Sequence, residues 1–150
     1  MIYRTFIVLV FLFVFLIHPA KGVQPNVGQI KKTTIFFPGG KHIEAVIADD
    51  QESRTTGLMG STHLDLNQGM LFIFDLNEPH MMWMKNMNIP IDIVWLNEQK
   101  AIIDFVQSAP PCKPESCVIF GPLLPSRYIL EIKDGASKTL QLKKGVVLRF

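Results

Sequence analysis

Ile91-Asp-Ile-Val-Trp-Leu-Asn-Glu-Gln-Lys-Ala-Ile-Ile-Asp-Phe-Val106 reads as two strands of β-branched, aromatic and aliphatic residues. The polar tetrad Asn97-Glu-Gln-Lys100 separates them as a hairpin loop does. Similar runs lie on both sides: Met70-Leu-Phe-Ile-Phe74, Met81-Met-Trp-Met84, Tyr128-Ile-Leu-Glu-Ile132 and Val146-Val-Leu-Arg-Phe150. Further upstream, Thr33-Thr-Ile-Phe-Phe37 and His42-Ile-Glu-Ala-Val-Ile-Ala48 flank Pro38-Gly39-Gly40, another hairpin signal. Helix is expected in two short places. Asp49 or Asp50 caps one through about Leu58, with Gln51 and Glu52 in its first turn and Gly57 and Gly60 ending it, and residues 135–142 hold one or two turns more. No repeat or low-complexity segment is present. The pattern predicts a mainly β fold, a compact antiparallel sandwich or barrel-like domain with one or two short helices. A βαβ rhythm is missing, so a nucleotide-binding parallel sheet is not expected.

The N-terminus carries a different kind of text. Thr5-Phe-Ile-Val-Leu-Val-Phe-Leu-Phe-Val-Phe-Leu-Ile17 follows Arg4 and precedes Ala20-Lys21-Gly22, the layout of a secretory signal with small residues at its cleavage site. Thirteen residues fall short of the roughly 20 that a spanning helix needs, so a cleaved signal is favoured over a retained anchor. The expected organisation is a signal peptide over 1–22, a short linker over 23–31 and one β-rich domain over 32–150, placed outside the cytoplasm as a periplasmic or secreted protein. Removing Arg4 and Lys21 from 15 basic residues leaves 13, equal to the 13 acidic ones. A net charge of zero excludes a nucleic-acid stripe and a polybasic membrane patch, so no nucleic acid and no membrane contact beyond the signal are expected. In an oxidising compartment Cys112 and Cys117 are expected to pair with each other. Four residues separate them, unlike a redox-active Cys-x-x-Cys, and no second pair completes a zinc site.

Two constellations carry potential chemistry. In His80-Met-Met-Trp-Met-Lys-Asn-Met87, strand alternation puts His80, Met82, Met84 and Asn86 on one face. Imidazole and thioethers are soft ligands, so His80, Met82 and Met84 are candidates for Cu(I) or Ag(I), with Trp83 as a shield. This layout resembles the methionine, histidine and tryptophan sites of small periplasmic copper and silver chaperones. The competing reading is core packing, for which flexible methionine is well suited. The second constellation is Lys85, Asn86 and Asp92, joined through Ile89-Pro90, with Arg54 placed to pair with Asp92 or Glu131. Such a set either satisfies loop amides or lines a cleft for an anionic or hydroxylated ligand. Hydrolytic motifs are missing: no Gly-x-Ser-x-Gly, no His-Glu-x-x-His, no phosphate loop. Ser61 beside His63 reads as loop capping.

Arg54-x-x-Gly57-Leu58-Met59, Gly69-Met70-Leu71-Phe72-x-Phe74, Trp83-Met84-Lys85-Asn86-x-x-Ile89-Pro90-Ile91-Asp92, Tyr128-x-Leu130-Glu131 and Gly145 together resemble the bacterial and archaeal family called domain of unknown function 192. The resemblance covers nearly all of the expected domain. It implies an exported, compact, β-rich single domain and brings no established activity. Met87 stands where that pattern usually has threonine and Met82 where it usually has an aromatic residue, so no threonine hydroxyl is available there. The favoured function is an extracytoplasmic module that binds a small ligand or envelope partner through Arg54, Lys85, Asn86, Asp92 and Glu131. The alternatives are a Cu(I) or Ag(I) protein using His80, Met82 and Met84, and an acid/base enzyme drawing on Asp92, Lys85 and His80.

Overall fold

A computed structural model describes residues 30–112 and 114–150. The expected signal segment over 1–22 and the linker up to residue 29 lie outside the described residues.

Among the described residues, eight strands and two short α-helices follow one another as β1 (Lys32–Phe36), β2 (His42–Ala48), α1 (Gln51–Thr56), β3 (Gln68–Glu78), β4 (Met82–Trp83), β5 (Ile91–Leu96), β6 (Ile102–Ala109), β7 (Ile119–Phe120), β8 (Ser126–Lys133) and α2 (Ala136–Thr139). Six strands form one sheet in the order β1-β2-β3-β8-β5-β6, and β4 pairs with β7 apart from it. The fold is mainly β, as the sequence predicts. Both hairpins form: β1 pairs antiparallel with β2 across Pro38–Gly40, where Gly39 and Gly40 each take a φ of 80° that a side chain would resist, and β5 pairs antiparallel with β6. Asp50 caps α1, its carboxyl accepting the Ser53 N–H at 2.8 Å while Ser53 Oγ accepts the Asp50 N–H, a reciprocal capping box.

Two features depart from the sequence expectation. The sheet is mixed, because β2 and β3 run parallel and are joined through α1, a single βαβ unit too short to announce itself as a rhythm. The segment expected as a strand over 146–150 forms isolated bridges instead, Ala101 with Val147 and Phe36 with Arg149. It crosses from beside β6 to beside β1, so neither neighbour runs along it for long. The sheet does not close into a barrel, yet this crossing links its two edges.

Both faces of the sheet are covered. One packs Ile35, Ile43, Leu71, Val94, Leu96, Leu130 and Ile132 under α2 and the C-terminal segment. The other packs Phe72, Ile91, Ile93, Trp95 and Ile129 under Leu64, Met84 and Met87. All six residues of β5 are therefore buried, and Trp95 is fully enclosed, with Nε1 donating to the His80 carbonyl at 2.8 Å. That bond ties β5 to the chain just before β4.

Cys112 and Cys117 are disulfide-bonded. The Cys112 N–H donates to the Met84 carbonyl at 3.2 Å, and Cys112 bridges in parallel with Lys85. The bridge thus pins the proline-rich loop against the segment after β4, while the sheet owes it nothing. Reduction should lower stability by about 2 kcal/mol, the entropy of a loop this short, and leave the fold cooperative. Urea unfolding with and without reductant checks this; loss of the near-ultraviolet signature of Trp95 in mild reductant alone would refute it.

Candidate functional site

Strand parity decides which charged side chains meet. In β5, Asp92 shares the face of Val94 and Leu96, whereas in β8, Glu131 shares the face of Ile129. Asp92 pairs with Ile132 and Ile93 with Glu131, so the two acids sit in neighbouring registers and point to opposite sides of the sheet.

Asp92 is fully buried and fully answered. Its Oδ1 accepts the Ser108 N–H at 2.8 Å and the Gly135 N–H at 3.2 Å, and its Oδ2 accepts the Ser137 N–H at 2.8 Å. One carboxyl therefore anchors the end of β6 and the start of α2 to the centre of the sheet. Its role is that of the loop-amide reading, and it lies away from the other candidates.

Glu131 is the opposite case. It is also buried, but Oε2 has no hydrogen-bond partner among the described residues. Burial pushes its pKa up from 4.5 to about 8, so the carboxyl is neutral at pH 7. Above it lies a small cavity of about 30 Å³, lined among others by Arg54, Gly57, Met82, Trp83 and Lys85. Gly57 forms its roof. With φ at 49° it ends α1, and a Cβ there would stand 3.2 Å from the Phe72 ring and 3.9 Å from Glu131 Oε2. Only a residue without a side chain combines that turn with so close an approach.

The rim is cationic. Arg54 stands in the last turn of α1, its Nη1 donating to the Ile73 carbonyl at 2.8 Å, its Nη2 3.8 Å from Asp75, and its guanidinium 5.6 Å from the Phe74 ring centroid. It therefore pairs with neither Asp92 nor Glu131. Its contacts lie along β3, at the Ile73 carbonyl and exposed Asp75. Lys85 is half-buried, with Nζ 4.9 Å from the Trp83 ring centroid and no carboxylate within ion-pair distance among the described residues. Asn86 departs from strand geometry, with φ at 57°, a conformation asparagine tolerates. Its carbonyl accepts the Gly60 N–H at 2.9 Å and its Nδ2 lies 3.9 Å from Met59 Sδ, so it shapes the loop over the cavity.

The soft-ligand trio is divided. Alternation holds for Met82 and Met84, which turn inward, and breaks at Asn86, which is exposed while Met87 is buried. Met84 packs in the core, and Met82 lines the cavity. His80 stacks on Phe74 at 3.7 Å and donates Nε2–H to the Leu76 carbonyl at 3.1 Å. The three side chains occupy three different surroundings. Met59 and Met87 join Met82 in the cavity wall instead. His63 contacts Asp65 at 2.8 Å rather than Ser61.

Gly57 and Met59 entered the sequence reading only as parts of the family motif, and Trp83 also as a shield for the soft-metal trio; none was read as lining a cleft. Glu131 was legible as one acid inside an apolar strand, though its lack of a partner was not.

Two stability predictions follow from the contrast between the acids. Asp92→Ala leaves three N–H groups without their acceptor, that of Ser137 in a buried bond, and should lower the stability by on the order of 3 kcal/mol in urea unfolding; a loss below about 1 kcal/mol would mean that water replaces the carboxyl. For Glu131, between pH 4.5 and about 8 the folded protein holds a proton that the unfolded chain has released. Stability therefore falls as pH rises through that window and is level above it. Glu131→Gln should remove this slope and be the more stable form at pH 9 by a few kcal/mol. Parallel pH profiles for the two proteins would contradict a neutral buried acid.

A family model described as DUF192, Uncharacterized ACR, matches residues 34–150. Among solved structures, a protein from Sinorhizobium meliloti 1021 described as a candidate transcription regulator is similar over 81% of this chain and 97% of its own, with 27% identity and a TM-score of 0.69. A protein of unknown function from Novosphingobium aromaticivorans DSM 12444 is similar over 89% of this chain and 90% of its own, with 25% identity and a TM-score of 0.72. Comparison with curated proteins finds no match.

Proposed function

This chain belongs to the DUF192 family, and on that premise we propose that it is an extracytoplasmic binding module that takes a small terminal group of its ligand into the cavity over Glu131. The observation that carries this reading is the unpartnered Oε2 of Glu131. A buried polar atom without a partner costs on the order of 1–3 kcal/mol, and a ligand or ordered water that answers it recovers that energy. A site of this kind gains affinity from what the fold leaves unsatisfied.

Three further features support the reading. Trp83 stands half-exposed at the mouth beside Lys85, an aromatic and a cation at one rim, as binding clefts commonly combine them. The disulfide and the N-terminal apolar run favour an extracytoplasmic location. The cavity, about 30 Å³, suits a small terminal group. No helix among the described residues is long and apolar enough to cross a membrane.

The chain has two tryptophans, Trp83 at the mouth and Trp95 in the core, so fluorescence separates site from scaffold. Titration with panels of small carboxylates, amines, sugars and phosphates should change the emission of Trp83 saturably for at least one class. The response should vanish in Trp83→Phe and weaken about tenfold or more in Glu131→Ala, in line with loss of a buried hydrogen bond. Silence across all panels, together with an unchanged melting temperature, would refute the proposal.

A further inference from the structure

We propose that the group received by the cleft is a carboxylate, one oxygen accepting a hydrogen bond from the Glu131 acid while Lys85 supplies the opposing charge. This rests on the binding reading above and names its ligand class. Three independent properties of the cavity select it.

The first is size. The cavity is small, about 30 Å³, which favours a compact, planar terminal group over a bulkier tetrahedral oxyanion. The second is charge at the rim. Arg54 is held by the Ile73 carbonyl and stands near Asp75, but Lys85 has no anionic partner among the described residues, and its ammonium rests against the Trp83 ring. An entering ammonium or metal cation meets like charge at that rim, and an anion meets attraction. The third is the floor. A neutral carboxyl has one O–H donor and two acceptor oxygens, so Glu131 is able to donate to an anion. In its ionised form it repels one.

The third property makes binding sensitive to pH through Glu131. The groups that surround it are few. From α1 comes Arg54, and from the segment after β4 comes Lys85. Met70 and Phe72 of β3 and Ile93 of β5 are uncharged, and Asp92 points to the other face. Glu131 is therefore the group through which pH acts on the site.

The test uses the full chain, labelled with ¹⁵N, and four probes: acetate, inorganic phosphate, methylammonium and Ag(I). The Gly57 amide and the Trp83 indole report on the cleft. The expected result is a saturable shift of both with acetate at pH 6, weakening about tenfold by pH 9, with phosphate at least tenfold poorer. Lys85→Met should weaken acetate about tenfold and Lys85→Arg restore it. Glu131→Gln, which keeps a donor, should bind acetate equally at both pH values. Saturation by methylammonium or Ag(I), or acetate binding that strengthens toward pH 9, overturns the carboxylate assignment while leaving the cleft as a binding site. If no probe moves either signal, the binding reading itself fails along with it.

Discussion

A sheet covered on both faces leaves no solvent for the polar side chains that its central strands turn inward, and this constraint organises the molecule. β5 and β8 lie between other strands and beneath packed layers on either side. Each carries one acid, and the pleat sends the two acids to opposite faces. Asp92 accepts three backbone N–H groups and so fastens α2 and the end of β6 to the sheet. Glu131 finds none for Oε2 and stays protonated. The first arrangement stabilises the fold and the second costs it stability, the usual direction of trade at a functional site.

The surroundings of Glu131 fit that interpretation. The elements around it come from four separate parts of the chain: α1 with its terminal Gly57, β3 with Phe72, the short β4 with Lys85 after it, and β8 below. The disulfide acts on the third of these, since Cys112 bonds to the Met84 carbonyl beside Lys85. Its contribution is local order at the rim more than global stability. The similarity to the two solved structures extends over most of each chain at 25–27% identity, so the overall fold is shared.

Much of the fold was readable in the chain. Both hairpins, the Asp50-capped helix and the buried Ile91–Leu96 strand follow from alternation, capping and turn chemistry. What escaped was non-local: the parallel β2–β3 pairing depends on a crossover through a six-residue helix, and the C-terminal segment divides its bridges between two edges. At the site, the residue types were legible and their grouping was not. Arg54, Lys85 and Glu131 do gather at one cavity, while Asp92 serves the opposite face and Asn86 shapes a loop. Of the expected His80, Met82 and Met84 face, the two methionines keep their alternation, while His80 lies before the two-residue strand and stacks on Phe74.

By itself the sequence determined the mainly β class, the family, and the presence of two acids inside apolar strands, because these depend on local pattern and residue chemistry. Tertiary structure alone decided which acid is satisfied. Asp92 meets three amides and Glu131 meets a cavity because loops far apart in the chain close over one face with donors and over the other with Gly57, Met82 and Trp83. Hydrogen bonding of a buried group depends on distances of a few tenths of an ångström between such loops, and no spacing along a single strand encodes them.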